Sequence, residues 1–158
     1  MLSLVVVFFV RLLLVALFLP FSALDKILNF KQALSQASQA VSAQWLARIL
    51  IFAGFAVEVL MSLAILTGIA DRLAALILAG YCLVTAILWK QFWRAPDFRL
   101  QGDSAGREVF WDFLKNGALA GGFLILSLGV NGSEVRHFID HPLESSHPYT
   151  QIDESMHQ

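Results

Sequence analysis

The stretch Trp45 to Asp71 reads WLARILIFAGFAVEVLMSLAILTGIAD and carries a single acid within its apolar run, Glu58, near the middle. About 20 consecutive apolar residues of helix cross a bilayer core. The stretch is therefore a membrane span, and Glu58 sits near the midplane, where an ionised carboxylate is costly. Such a group must be neutral, paired, or turned to something polar. The remaining apolar residues gather into three further blocks, and the mean hydropathy of +0.68 reflects that clustering. Charged residues are only 15 % of the chain, against about one quarter in soluble domains.

The first block, about Leu4 to Leu24, has its basic residue Arg11 inside the apolar run rather than before it. It is also long for a signal-peptide core, and no small-x-small cleavage site follows, so it is expected to be retained. Pro20 is expected to bend its last turns. From Asp25 to Gln44 the character changes. Phe30, Leu34, Ala37 and Val41 recur at helical spacing among polar residues, which suggests an amphipathic helix on the membrane interface.

The third block starts at about Arg72 and runs to Trp89, so the connection from the second is almost absent and the two helices must be antiparallel neighbours. Trp89, Phe92 and Trp93 with Lys90 and Arg94 form an aromatic and basic belt at its exit. A loop follows over 94–107, punctuated by Pro96, Gly102 and Gly106. The fourth block runs from about Val109 to Val130, with Lys115, Asn116 and the Gly121-Gly122 pair inside it.

The expected fold is thus all-α: an integral membrane four-helix bundle over 1–130, with an interfacial amphipathic segment after the first helix. Residues 131–158 read as a polar, largely disordered tail. Lys26, Lys31, Arg48, Lys90, Arg94, Arg99 and Arg107 fall on the two longer connections, and Arg72 and Arg136 on the other side. The positive-inside rule then puts those connections in the cytoplasm and both termini outside it.

Depths follow from a rise of about 1.5 Å per residue. From the side of the termini, Arg11 lies roughly 10 Å in, Tyr81 roughly 15 Å, Glu58 roughly 16 Å and Asn116 roughly 20 Å by that rise. An Arg11–Glu58 pair is expected, completed by Tyr81 and Asn116. Two roles fit such a set: a staple that fixes helix order, or a site for a substrate, proton or quinone.

Several function classes drop out. A net charge of −1 leaves no nucleic-acid footprint. The lone Cys82 cannot form an internal disulfide and reads as a packing residue. Nucleophile-elbow, zincin, P-loop and dinucleotide motifs are missing, so no catalytic residue is assigned. All four histidines lie in the tail, and none inside a span where a pair could ligate haem. Glu134, His137 and His141 share a helical face and are weak metal candidates, with a solvated tail as the expected reading; no metal is expected.

The order of these features resembles the DoxX family of small four-helix membrane proteins. Arg11, Leu14 and Phe18 with Lys26 follow its first span, and Glu58 with Gly68 its second. Phe92-Trp93 follows its third, and Phe113, Lys115, Asn116, Gly121 and Gly122 the start of its fourth. The chain departs from the pattern at Ser22, at Met61-Ser62, and at Lys90-Gln91, where the family often has a His. The resemblance implies a bacterial inner-membrane protein whose relatives include thiosulfate:quinone oxidoreductase subunits and parts of oxidative-stress complexes. It makes Lys26, Trp93 and Lys115 secondary site candidates, and implies a quinone as ligand and membrane or periplasmic redox proteins or a second copy as partners. The first reading is an accessory subunit of such a system; a proton-coupled transporter or permease subunit and a ligand-free scaffold are the alternatives.

Overall fold

The computed structural model describes residues 2–40 and 43–150, and among them the secondary structure is helical with no strand. The first helix, α1, spans Leu2–Val15 and runs on through a π-helical turn, Leu17–Ser22, into the short α2, Ala23–Leu28. Pro20 lies inside the π turn, and the axis bends by 40° at the break. A proline cannot donate to the helical ladder and its ring crowds the preceding turn, so the kink falls where the sequence predicts it. Helix α3, Phe30–Ala40, follows. Three long helices complete the bundle: α4 over Gln44–Thr67, α5 over Asp71–Trp89 and α6 over Ala105–Leu128. Among the described residues three helices are long and apolar enough to cross a membrane, and the bent pair formed by α1 and the segment Leu17–Leu28, taken as one span, makes a fourth.

The element boundaries have local causes. Gly68 ends α4 in the left-handed conformation, φ +78°, with its N–H on the Ala64 carbonyl at 2.9 Å. Three residues later α5 begins, which makes α4 and α5 the expected antiparallel hairpin. Helix α6 starts at Ala105, earlier than the apolar block suggests. The Ser104 hydroxyl accepts from Arg107 N–H at 3.2 Å, and the Asp97 carboxylate accepts from Ala105 and Gly106 N–H at 2.9 and 3.1 Å. Both satisfy donors that a helix start leaves free.

The core sits between α4, α5 and α6. Ala74, Ala75, Ala79 and Cys82 give α5 a face of small residues, and Val15, Phe18, Ile65, Leu78 and Phe123 close around it. Small side chains let helix backbones approach closely, which is the main attraction available between helices in lipid. The large apolar residues left outside, such as Val6, Phe9, Leu13, Phe52 and Leu60, are the lipid-facing surface. The amphipathic stripe of α3 is real. Phe30, Leu34 and Ala37 pack on Ala47 and Ile51 of α4. Its fourth expected member, Val41, lies outside the described residues.

The aromatic belt is a cluster in which Phe92 contacts the rings of Trp93, Phe98, Phe110 and Phe113 at 5.0–5.4 Å between centroids. Gly106 lets the loop close onto α6 beneath it. A Cβ there would sit 2.8 Å from Phe98 Cα and 2.9 Å from Phe98 N, backbone atoms that cannot rotate away. Gly106→Ala is expected to cost about 1–3 kcal/mol, read as a lower midpoint in thermal unfolding in detergent.

The region after Asn131 differs from the expectation of a largely disordered tail. Gly132–Asp140 forms a helix, α7, started by the Asn131 side chain, which accepts from Glu134 N–H at 3.0 Å. Arg72 holds α7 to the bundle: Nε donates to the Ser127 carbonyl at 2.9 Å, Nη2 to the Glu134 carbonyl at 3.2 Å, and the guanidinium lies 5.7 Å from the centre of the Phe138 ring. Beyond α7, Ser146, Pro148 and Tyr149 lie against the α4–α5 turn. A polar composition hid these contacts because their partners are carbonyls and an acid at the bundle's end. Residues 151–158, including His157, lie outside the described residues.

Candidate functional site

Glu58 is buried at 2 % relative exposure and faces the bundle, not lipid. Its partner is not Arg11. Lys26 Nζ reaches both Glu58 oxygens at 2.7 Å. The Ser22 hydroxyl donates to Glu58 Oε1 at 3.1 Å and the Tyr81 hydroxyl at 2.7 Å. Lys26 Nζ also donates to Ser22 Oγ at 2.8 Å. A carboxylate at this depth thus meets three donors, one of them charged, as a buried charge requires.

The expected Arg11–Glu58 pair is corrected by register. Helix α1 runs antiparallel to α4, so Lys26, near the far end of the bent helix, is level with Glu58. Arg11 is level with the start of α5. Its Nη2 lies 2.6 Å from Asp71 Oδ2, and its Nη1 donates to the Ile65 carbonyl at 2.7 Å. From Glu58 to the end of α4 at Thr67, beside which Asp71 starts α5, is about 13 Å of helix at a rise of about 1.5 Å per residue. The depth estimate failed because it treated the first block as a straight span ending at Leu24. The π turn carries the helix on to Leu28.

A cavity of about 400 Å³ opens beside the Glu58 cluster. Its inner wall includes Phe18, Ser22, Lys26, Glu58, Tyr81 and Asn116. The outer wall includes Gln32, Ala33 and Gln36 of α3 with Trp89 and Lys90 at the end of α5. The Trp89 indole N–H donates to the Gln36 carbonyl at 3.0 Å and ties α3 to α5 across the cavity. Gly54 makes room for Tyr81, since a Cβ there would lie 3.2 Å from the Tyr81 hydroxyl oxygen.

The cavity's two cations are matched. Lys26 is spent on Glu58, and Lys90 pairs with Asp112 at 2.8 Å. Asn116 Nδ2 donates to the Asp112 carbonyl at 2.9 Å. In their bonds to described residues, Lys90 and Asn116 each use one donor hydrogen and keep others. The arrangement can therefore hold a neutral group that accepts hydrogen bonds, with apolar walls from Leu17, Phe18, Leu50 and Ile51.

Of the residues expected at the site, Glu58, Tyr81 and Asn116 line this one cavity, Lys26 replaces Arg11 there, and Arg11 belongs to a second cluster. Trp93 sits in the aromatic belt, and Lys115 is 71 % exposed and pairs with Asp112 at 3.2 Å. Neither lines the cavity. In the tail, Glu134 Oε2 accepts from Val130 N–H at 2.8 Å, while His137 Nε2 lies 3.1 Å from Glu144 Oε2 and its ring 5.3 Å from that of His141. Among the described residues no group of three or more His, Cys, Asp or Glu is set to hold a metal ion. Sequence reasoning missed Ser22, Asp71, Asp112 and Ser146. Asp71 carried a usable signal, an acid at a turn almost without residues, which a short antiparallel connection buries.

These features define a polytopic helical membrane protein with a cavity of mixed polar and apolar lining in its bundle. The DoxX family model matches residues 6–91, more than half of the chain, and the chain belongs to the DoxX family. The matched part holds Arg11, Lys26, Glu58, Asp71 and Tyr81; Asn116 and α6 lie beyond it. No curated protein and no solved structure matches the chain.

Proposed function

We propose that this DoxX protein is a non-catalytic accessory subunit of a redox or stress-related system in the bacterial inner membrane. Its cavity holds the head of a lipid-soluble, quinone-like molecule. One observation carries the reading: a cavity of about 400 Å³ whose cations already have carboxylate partners and whose walls are mostly apolar. That volume falls in the range of about 300–1,000 Å³ typical of small-molecule sites. A small anion would find no unpaired cation among the described lining residues, which favours a neutral ligand. A quinone supplies electron-accepting chemistry when bound; the chain's residues bind and orient it. Lys90 and Asn116 offer donors to its carbonyls, while Leu17 and Leu50 take its apolar part. The two longer connections face the cytoplasm and the termini face out, by the bias of Lys and Arg toward those connections. Redox proteins of the membrane or periplasm are the partners, alongside a second copy.

The test is equilibrium binding of a decyl-chain benzoquinone to the protein in lipid nanodiscs, read by quenching of tryptophan fluorescence. Ala33→Phe fills the cavity from α3 and removes no polar group. It is expected to weaken binding at least about tenfold, or about 1.4 kcal/mol. Equal affinity in wild type and Ala33→Phe would sink the reading and leave the scaffold alternative, which the complete pairing of Glu58 favours.

A further inference from the structure

Helix α1 is held to the bundle by very little. Only Arg11 and Val15 of its 14 residues are buried, while Leu2, Val5, Val6, Phe8, Phe9, Val10 and Leu13 are exposed. Its far end is the π turn with Pro20, a break of 40° in the helix axis. Such bulges lack the regular ladder of hydrogen bonds and are where helices bend. On the N-terminal side of that break, α1 is tied to the bundle by one polar lock. Arg11 donates to the Ile65 carbonyl and pairs with Asp71, which is fully buried.

The C-terminal segment completes that lock. Ser146 N–H donates to Asp71 Oδ1 at 2.9 Å, and its hydroxyl donates to Asp71 Oδ2. The same hydroxyl accepts from Arg11 Nη2 at 2.7 Å. The Tyr149 hydroxyl donates to the Leu66 carbonyl. The Pro148 ring fills the space that Gly68 leaves: a Cβ there would fall 2.9 Å from Pro148 Cγ. The π turn, in its turn, lines the cavity through Leu17, Phe18 and Ser22. Phe18 meets Tyr81 edge-on and Phe123 at a tilt, with ring centroids 6.3 and 5.8 Å apart.

We infer that α1 is a hinged arm whose outward swing opens the apolar cluster around Val15 and Cys82 to the bilayer, and that residues Ser145–Tyr149 are the latch that holds it shut. The arm turns at the π turn, and the latch acts on Arg11, one and a half turns nearer the N-terminus. Releasing Ser146 strips Asp71 of two donors and Arg11 of one acceptor, which weakens the polar lock that pins the arm. The device does not rest on the cavity being a binding site, and the test uses no ligand.

Cys82 is the chain's one cysteine, buried in the same apolar cluster as Val15 and Phe18. Its alkylation by N-ethylmaleimide, followed by mass spectrometry on the full chain in lipid nanodiscs, reports the arm. The double variant Ser146→Ala/Tyr149→Phe is expected to speed labelling at least about fivefold, and truncation after His141 to do the same, as expected for a lowered local opening energy. Ser146→Thr keeps the hydroxyl and the wild-type rate. A second reporter, Ala47→Cys in a Cys82→Ser background, sits in the separate α3–α4 cluster and is expected to label at an unchanged rate. Unchanged Cys82 labelling in both latch variants overturns the proposal. So does an equal rise at position 47, which means that the whole bundle has loosened.

Discussion

Lys26→Met is expected to destabilise the protein by about 3–5 kcal/mol, the usual loss when one partner of a buried ion pair is removed. Glu58 is then left in the bundle with only the Ser22 and Tyr81 hydroxyls as donors. Glu58→Gln is expected to cost less, about 1–3 kcal/mol, because the Lys26 side chain is 20 % exposed and its flexible stem can carry the ammonium toward water. The double variant Lys26→Met/Glu58→Gln removes both charges and is expected to recover most of the loss. A double-mutant cycle on unfolding in detergent measures the coupling. If the two losses simply add, the ion pair contributes nothing as a pair and the close geometry has no energetic meaning. The same double variant separates staple from site. Restored stability with normal quinone binding assigns Lys26–Glu58 a structural role, whereas restored stability with binding lost assigns it to the ligand.

A comparable effect is expected at the other charged pair. Arg11→Leu leaves Asp71, fully buried, with the Ser146 donors alone, and is expected to cost about 3–5 kcal/mol. Asp71→Asn keeps an acceptor for Arg11 and for Ser146 and is expected to cost about 1–3 kcal/mol. The two variants also differ in where they act. Arg11→Leu frees α1, so proteolysis of the N-terminal arm in detergent should rise well before global unfolding. Asp71→Asn touches the α4–α5 turn and the C-terminal segment first. Identical cleavage patterns in both variants would mean that the lock does not hold α1 in particular.

The four spans were legible because the bilayer demands long apolar helices, and long apolar runs are visible in any sequence. Glu58 stood out for the same reason: one acid in such a run has to be accommodated. Its neighbour Tyr81 followed from depth alone, since α4 and α5 are joined almost directly and their register is fixed by the turn. The partner cation did not follow. Placing Arg11 or Lys26 opposite Glu58 depends on how far the first helix continues, and Pro20 suggested an end where the π turn carries it on. The tail was misjudged for another reason. Its contacts to Asp71, Leu66 and Gly68 are a hydroxyl, a phenol and a proline ring, none of which stands out from a solvated sequence. The cavity was not legible at all. It exists because α3 folds back over α4 and α5, and that placement depends on packing among Phe30, Ala37 and Ile51 that a helical period does not specify.

The two ion pairs also bear on how the protein is made. Synthesis runs from the N-terminus, so the first helix, with Arg11 and Lys26, meets the membrane before Glu58 and Asp71 exist. An unpaired cation at the centre of a helix opposes insertion by about 2.5–3.5 kcal/mol. Until the α4–α5 hairpin arrives with both carboxylates, the first helix is therefore a poor resident of the hydrocarbon. It settles into its final position only when that hairpin supplies the counter-charges. The expected order of assembly follows from the chain: hairpin as template, first helix as the late-docking piece, and the segment Ser145–Tyr149, made after both, closing over the finished pair.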